Sequence, residues 1–206
     1  EVMLEVDLFG GIVLIILYFL YDLRRKRLSL AGVDPVVALD NTRQKCDKPV
    51  MDQLHNGSIR LLRCSWLLSD EADKVLRQDT EDHGVVVRMR RCQELPEAAF
   101  FAPEEATALF GRGDRPVLVL SYRWQIAAHP DPLGTTLATV RGYLRNEASV
   151  DGSALFWDFA SLPQKPRSEE ENGLFKSGLK VMGFFYASIT GTAVIQVKDM
   201  PPRPRC

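Results

Sequence analysis

Three apolar segments in the second half of the chain constrain the fold most strongly. The first, RPVLVLSYRW over 115–124, is a continuous aliphatic run, typical of a strand buried on both faces of a parallel sheet. SALFWDFA over 153–160 and TAVIQV over 192–197 follow it, with helical patterns between them. The order strand, helix, strand, helix, strand predicts an α/β fold, with a parallel, doubly wound sheet covered by helices on both faces.

The two helices between these strands carry start signals. Asp131 is the expected N-cap of the first, with Pro132 at its first position. Ser168 and Glu171 have the S-x-x-E spacing of a capping box, which predicts the start of the second. The expected apolar stripe of the second helix is Phe175, Leu179, Met182 and Tyr186.

Shorter elements are predicted before residue 115. SIRLLRCSWLL over 58–68 and GVVVRMRR over 84–91 have strand composition. Ser69 is the expected cap of a helix over 70–78, and PEEATALF over 103–110 predicts a short helix with proline at its start. Residues 29–57 show no sustained apolar period and are expected to form a connecting segment with short elements at most.

The N-terminal region has the composition of a membrane anchor. Residues 8–21 carry no charge, and extension back to Val2 includes only Glu5 and Asp7. Four cations follow, and Tyr18 and Tyr21 fit an interfacial aromatic belt. This pattern predicts one transmembrane helix whose basic end, Arg24, Arg25, Lys26 and Arg27, lies at the membrane interface on the cytoplasmic-equivalent side.

A buried core helix is the alternative for this apolar segment. A secretory signal peptide has the reverse order, with its basic residues before the apolar ones. The expected organisation is an anchor with its basic flank over 1–28, a connecting segment over 29–57 and an α/β domain over 58–206. The chain begins at Glu1, which we expect to be a processed or partial N-terminus.

Composition narrows the classes of ligand. The 206 residues have a net charge of -1, whereas a dedicated nucleic-acid binder needs a surplus of cations, so no nucleic-acid partner is expected. The four cysteines and three histidines lack the spacings of a zinc site. No glycine loop opens a helix as a phosphate-binding site requires. We therefore expect neither a metal nor a cofactor, and reduced cysteines suit a reducing compartment.

Polar residues follow the first two strands of the predicted sheet. Ligands of open α/β sheets bind at the carboxyl ends of the strands. The candidates for such a crevice are Ser121, Arg123, Asp158, Gln164 and Arg167. We expect a mainly architectural role instead, in which Asp158 accepts backbone N–H groups while Gln164 and Arg167 hydrogen-bond to the 121–123 turn.

Three ordered blocks in this region carry a resemblance. VLSYRW, LFWDFASLPQ and RSEEENGLFKSGLKVMGFFY resemble the heterokaryon-incompatibility (HET) domain, which is regarded as a relative of the Toll/interleukin-1 receptor (TIR) domain. Over about 58–197 the chain is also similar to uncharacterised algal proteins that carry RRCQELPEAAF, SYRW, HPDP and FWDFASLPQKPR in this order. The match departs from the fungal pattern at Gln125, where glycine is usual, and over 161–163.

The resemblance implies a flavodoxin-like or TIR-like sheet. Some TIR domains cleave NAD with a glutamate in a helix near the sheet edge, so Glu170 and Glu171 are the candidates for a catalytic role. Acids in a first helical turn also stabilise a helix without any chemistry. The catalytic interpretation is a membrane-tethered, NAD-cleaving or nucleotide-sensing signalling protein.

We favour a non-catalytic function. The single predicted span and the connecting segment indicate a membrane-anchored accessory or scaffolding subunit, in contact with membrane lipid and with other subunits of a membrane protein complex. A photosystem or a respiratory supercomplex is the first expectation. The expected location is a thylakoid or mitochondrial inner membrane, with the domain on the stromal or matrix side.

Overall fold

The computed structural model of the chain describes residues 35–80, 83–147, 150–188 and 190–198. The predicted membrane span and its basic flank, including Tyr18 and Tyr21, lie outside these residues. Within the described ranges, no helix has the length and hydropathy needed to cross a membrane. The chain divides into two compact units, 1–45 and 46–206, and the elements discussed below belong to the second, except for the start of the first helix.

The helices and strands follow one another along the described part of the chain. They are α1 Pro35–His55, β1 Leu62–Arg63, α2 Cys64–Leu67, α3 Asp70–Leu76, β2 Arg77–Thr80, β3 Gly84–Val87, α4 Pro103–Gly111, β4 Val117–Ser121, α5 Thr135–Asn146, β5 Ala154–Phe156, α6 Asp158–Ser161, α7 Glu169–Ala187 and β6 Thr192–Gln196. Short 3₁₀ turns occupy Cys92–Glu94 and Glu97–Ala99.

A four-stranded sheet with the order β1-β5-β4-β6 organises the domain. The central strand β4 is parallel to β5 on one side and to β6 on the other, with Val117 opposite Ala154 and Thr192. Strand β1 is antiparallel to β5 at the edge. The mixed α/β class with a mostly parallel sheet is therefore confirmed. Strands β2 and β3 form a separate antiparallel hairpin.

Hydrophobic cores cover both faces of this sheet, because successive β4 side chains point to opposite sides. Val117 and Val119 belong to one core, to which α7 contributes Val181 and Phe185. Leu120 belongs to the other. Helix α5 contributes three side chains to that second core: Leu137, Val140 and Leu144. Helices α5 and α7 thus pack on opposite faces.

Three expectations for the first half of the chain were wrong in extent. Only Leu62–Arg63 of the predicted 58–68 strand is extended, since the chain turns into α2 and buries Cys64, Trp66 and Leu67 together. A strand would place Trp66 and Leu67 on opposite faces. The predicted 70–78 helix ends at Leu76, and the residues after it pair with the predicted 84–91 strand, of which Gly84–Val87 is extended.

Residues expected to hold short elements at most form the 21-residue helix α1. Among its described side chains, Val50 and Leu54, one turn apart, belong to the domain core, and Met51 packs against it. Asp47, one turn before Val50, is buried and accepts a 2.9 Å hydrogen bond from the Ser188 hydroxyl. A helix attached by so few apolar residues and a buried acid has no sustained apolar period for a sequence to show.

The second half follows its predicted order with local shifts. The third strand is confirmed as Thr192–Gln196 and the 103–110 helix as Pro103–Gly111. Helix α5 begins after Gly134 instead of Asp131, and the predicted 153–160 strand ends at Phe156, where α6 turns the chain.

The capping box of α7 is confirmed, and its predicted stripe is confirmed in part, because Phe175 and Met182 pack against the core. Leu179 and Tyr186 are exposed, and the buried face consists of Gly178, Val181 and Phe185. A Cβ atom at Gly178 would lie 2.6 Å from a Leu162 methyl group. The helix therefore approaches the core backbone through a glycine, which carries no hydrophobic signal in the sequence.

Candidate functional site

Asp158 is the centre of the polar cluster at the carboxyl ends of β4 and β5. One carboxylate oxygen accepts hydrogen bonds from the Tyr122 hydroxyl at 2.6 Å and from the Phe159 backbone N–H at 2.7 Å. The other oxygen accepts the Trp124 indole N–H at 3.2 Å. Tyr122 and Trp124, which follow β4, thus hydrogen-bond to Asp158, the first residue of α6. This contact joins the ends of β4 and β5.

Tyr122 is held as a hydrogen-bond donor. Burial raises the pKa of its phenol, and the adjacent negative charge of Asp158 raises the same pKa further. The phenol therefore stays protonated and donates to the carboxylate. Tyr122 also makes an edge contact with Trp157, with ring centroids 5.6 Å apart. A protonated, packed phenol is a structural donor, and it does not supply a base.

Aromatic side chains surround the Asp158 carboxylate. Trp124 contacts Phe159 edge-on, with centroids 5.9 Å apart, and the His129 ring lies 4.8 Å from the same phenyl ring. These contacts cover the start of α6 with rings from the 122–129 loop. The strand-end crevice predicted for a ligand is filled at this point by side chains of the domain itself.

The loop over 125–134 closes the cluster with a second carboxylate. Asp131 is fully buried and accepts the backbone N–H groups of Thr136 and Leu137 at 3.0 and 2.9 Å. It also accepts from the side chain of Gln125 at 3.2 Å. Asp131 is not the formal N-cap residue, but it satisfies the first-turn donors of α5 as a cap does.

His129 is fixed as a neutral ring in the same loop. Its Nδ1 accepts the Asp131 backbone N–H at 3.0 Å, so Nε2 carries the proton and donates to the Met89 carbonyl at 3.0 Å. Burial lowers the pKa of His129, and the charge of Arg88 lowers it further. Both ring nitrogens are therefore engaged by backbone groups, which leaves neither for proton transfer.

The architectural prediction placed Gln164 and Arg167 in hydrogen bonds with the 121–123 turn. Among the described residues, both have other partners instead. Gln164 exchanges two hydrogen bonds with Gln93, of 2.7 and 2.9 Å, and its side chain donates to the Asp158 and Leu162 carbonyls. Arg167 donates to the Pro163 carbonyl and stacks on Phe175 with its guanidinium 3.4 Å from the ring centroid. Both residues stabilise the loop after α6.

The other predicted crevice residues differ in exposure. Ser121 ends β4, and its carbonyl accepts the Val197 N–H at 2.9 Å. Arg123 is exposed and makes no hydrogen bond or ion pair with another residue in the described ranges. The structure therefore brings Asp158 and Gln164 together with the Tyr122 and Trp124 rings, and it leaves the Arg123 side chain outside this cluster.

The glutamates of the catalytic alternative lie at the start of α7. Glu171 accepts the Ser168 N–H at 2.7 Å and donates its own backbone N–H to the Ser168 hydroxyl at 3.1 Å. Glu170 is exposed. Glu171 is thus engaged in helix capping, and the exposed Glu170 side chain is not part of the Asp158 cluster.

Two cavities lie away from this cluster. One, of about 180 Å³, is at the amino ends of β4 and β5 and is lined by residues such as Pro116 and Ser153. The other, of about 420 Å³, lies beside β1, between Ile59 and Ala106. Within the described ranges, no group of three or more His, Cys, Asp or Glu side chains could hold a metal ion.

Sequence reasoning missed the partners of Asp158. Tyr122 and Trp124 follow a strand two positions apart, so an extended chain places their side chains on one side. That spacing was a usable signal, because both residues carry a donor that needs an acceptor when buried. No protein-family model, curated protein or solved structure matches the chain. Its function has to be inferred from its residues and their contacts.

Proposed function

We propose that this chain is a membrane-anchored, non-catalytic accessory or scaffolding subunit of a multi-subunit membrane complex. The observation that carries the proposal is the state of Asp158. Both of its carboxylate oxygens accept hydrogen bonds from the domain's own donors, at the strand ends where open α/β sheets bind ligands. A carboxylate engaged in this way joins two strand ends and holds the fold together.

The arrangement of the sheet supports a relation to the TIR-like class. The strand after α5 pairs on one side of β4 and the strand after α7 on the other, with the two helices on opposite faces. A doubly wound, flavodoxin-like sheet has this topology. The blocks that resemble HET domains lie at its carboxyl end, where SYRW and WDFASLPQ meet through Asp158. The proposed domain is a HET/TIR-like fold retained for its surface.

The membrane part of the proposal rests on the N-terminal sequence. An uncharged stretch over 8–21 followed by four cations is the pattern of a single span with its basic end inside. We propose thylakoid or mitochondrial inner membrane as its location, with a photosystem or respiratory supercomplex as the partner assembly. Organelle fractionation distinguishes them, since the chain would co-purify with chlorophyll proteins or with respiratory enzymes.

Native gel electrophoresis of membranes solubilised in a mild detergent tests the assembly function. The expected result is migration within a high-mass species that also contains other subunits. Migration as a free chain of 23.2 kDa would contradict the proposal. The NAD-cleaving alternative is tested separately by incubating the chain with NAD at high protein concentration. We expect no nicotinamide release, and sustained release that Glu170→Gln abolishes would establish the enzyme instead.

A further inference from the structure

Helix α7 presents an apolar stripe to solvent beside the face that it buries. Leu179 and Tyr186 are 47% and 37% exposed, and Phe175 and Met182 are half-buried and pack against the core. These four residues are spaced by four, three and four positions, so they lie along one side of the helix. An apolar stripe at this spacing is a surface that a second helix can recognise.

Gly183 lies on the same side of α7, one turn after Leu179. A Cβ atom at this glycine would have no side chain or neighbouring element within 4 Å, so the space above the backbone is open. The distance between two packed helices depends on the side chains at their contact, and a glycine permits a close approach. The stripe therefore contains a recess between Leu179 and Tyr186, which fits the rounded surface of a helix.

The charge around the stripe is positive. Residues 172–187 of α7 contain Lys176 and Lys180 and no aspartate or glutamate. Both lysines are exposed, and neither forms an ion pair within the described ranges. Arg167 adds a third cation where it stacks on the first ring of the stripe. A helix that covers the stripe therefore meets cations at the edges of the contact, and acidic residues beside its own apolar side chains would be complementary to them.

We propose that this surface of α7, formed by the stripe, Gly183 and the two lysines, binds an amphipathic helix of a partner subunit with acidic residues beside its apolar stripe. The inference rests on the proposed function, since it names the surface through which the subunit would assemble. The Asp158 carboxylate is not part of this surface. Assembly and the stability of the strand ends would therefore respond to different substitutions.

Two other occupants fit this surface less well. A second copy would bring the lysines of one α7 beside those of the other, and like charges at a helix contact repel. A bilayer surface is flat on the scale of a helix, whereas the recess at Gly183 fits a rod. The acidic helix is the occupant that matches both the shape and the charge of the surface.

Native electrophoresis of membranes that express the full chain tests this surface, with the parent as reference. Leu179→Glu is expected to reduce the fraction in the high-mass species at least about fivefold, because it places a charge in the apolar contact. Gly183→Leu should reduce it about threefold, because the larger side chain blocks the close approach. Val85→Glu is the matched control, since Val85 is 51% exposed on β3, and it should assemble as the parent does.

A pair of model peptides tests the chemistry of the partner. Each is an amphipathic helix of about 20 residues with a leucine stripe, flanked by glutamates in one peptide and by lysines in the other. Fluorescence anisotropy measures their binding to the full chain in phosphatidylcholine nanodiscs, with empty nanodiscs as the blank. We expect the acidic peptide to bind with a Kd of about 0.1 mM or lower and the basic peptide about tenfold more weakly. The double variant Lys176→Glu, Lys180→Glu should reverse this preference, whereas Arg145→Glu, an exposed charge reversal on α5, should not.

The outcomes separate this surface from the proposed function. A parent chain that is absent from every high-mass species would overturn both. A parent that assembles together with a folded Leu179→Glu chain would overturn the surface alone, as would equal binding of the two peptides. If Leu179→Glu does not fold in a urea titration, the double lysine variant decides, because only a contact at α7 predicts a reversed peptide preference.

Two further results would assign the stripe to another occupant and overturn the proposal. A dimer of the purified chain that Leu179→Glu dissociates would show that a second copy covers it. Stronger quenching by brominated phospholipid in a Leu179→Trp chain than in the parent would show that the membrane surface covers it.

Discussion

Charged side chains have different surroundings at the carboxyl ends of β4 and β5 and beside β1. At the strand ends, the carboxylates of Asp158 and Asp131 accept their hydrogen bonds from donors of the same domain. Beside β1, Arg60 and Arg63 are stacked on rings and paired with exposed carboxylates. The first region holds the fold together, whereas the ion pairs of the second are exposed to solvent.

The sequence placed candidates for a ligand site at the strand ends, and the contacts in the structure do not favour that position. An α/β sheet directs attention to the strand ends, where a ligand is expected by topology. Side chains that satisfy one another fill this position here. The solvent-exposed ion pairs of Arg60 and Arg63 lie beside the edge strand β1, where topology predicts no site. A polar residue after a strand therefore indicates a site only when its hydrogen-bonding capacity is not already used by its neighbours.

Gly134→Ala should have the largest effect on stability, because this glycine seats the 125–134 loop against β3. Its φ is +75°, and a Cβ atom would lie 2.0 Å from the Val87 carbonyl oxygen. We expect a loss of about 3 kcal/mol, from the left-handed conformation and the clash together. Urea unfolding followed by tryptophan fluorescence measures it.

Gly152→Ala is the matched control for this glycine. Its φ is +93°, but no atom lies within 4 Å of the added Cβ position. The expected loss is about 1 to 2 kcal/mol, from backbone conformation alone. Equal losses at the two glycines would mean that the loop does not close the strand end as tightly as described.

Asp158→Ala should have the next largest effect. It leaves the Tyr122 hydroxyl, the Trp124 indole N–H and the Phe159 N–H without their acceptor, and we expect a loss of about 2 kcal/mol. Glu170→Gln, an exposed change nearby, should stay within about 0.5 kcal/mol in the same urea titration. An Asp158→Ala chain as stable as the parent would contradict the architectural role.

Ser168→Ala removes the hydroxyl of the α7 capping box and should cost about 1 kcal/mol. The Glu171 side chain keeps its bond to the residue 168 backbone N–H, which limits the loss. Thermal unfolding of the variant and the parent under identical conditions measures the difference. A loss as large as that of Asp158→Ala would mean that the exposed cap and the strand-end cluster do not differ as described.

The pH dependence of the free energy of unfolding tests whether His129 is a buried neutral ring at the strand ends. Its pKa in the fold is lowered from the usual value of 6.5, so the unfolded chain binds a proton more readily than the folded one. The stabilisation by neutral His129 is therefore complete above about pH 6.5 and falls as the pH decreases below it. Urea titrations across this range should show a steeper decline for the parent than for His129→Gln. Identical slopes would exclude a buried neutral ring.

Glu97→Gln should have the smallest effect on stability, within about 0.5 kcal/mol, since it removes one exposed ion pair. Urea unfolding of this variant beside Asp158→Ala compares the two regions directly. A loss near 2 kcal/mol would show that Arg60 and Glu97 support the fold, and it would remove the contrast between them.

The parallel strands and α7 were predictable because each is specified by local signals. Val117–Ser121 and Thr192–Gln196 are short segments rich in aliphatic and β-branched residues. Ser168 and Glu171 together mark the start of a helix within four residues. Helix α1 was not predictable, since its attachment depends on Asp47 reaching Ser188, 141 residues away. The end of β5 was missed for a related reason. An apolar run continues through Phe159, and the turn at Asp158 is fixed by donors from β4's end.

Two of the five candidate residues, Asp158 and Gln164, lie in the Asp158 cluster. Asp158 and Gln164 were identified from their place after a strand, and the structure brings them into one cluster. Their partners were not, because Gln93 lies 71 residues from Gln164 and Tyr122 lies 36 residues from Asp158. Hydrogen bonds over such separations depend on tertiary packing, which a residue pattern does not encode locally.

Assembly of the Asp158→Ala chain tests the central claim most directly. Parent and variant are expressed in the native membrane at a temperature well below the variant's unfolding midpoint, and native electrophoresis compares the fraction of each in the high-mass species. We predict equal fractions for equal amounts of folded chain, because Asp158 stabilises the domain and does not bind a ligand. A variant that is as stable as the parent but absent from the high-mass species would contradict this, and the strand ends would then be a working site.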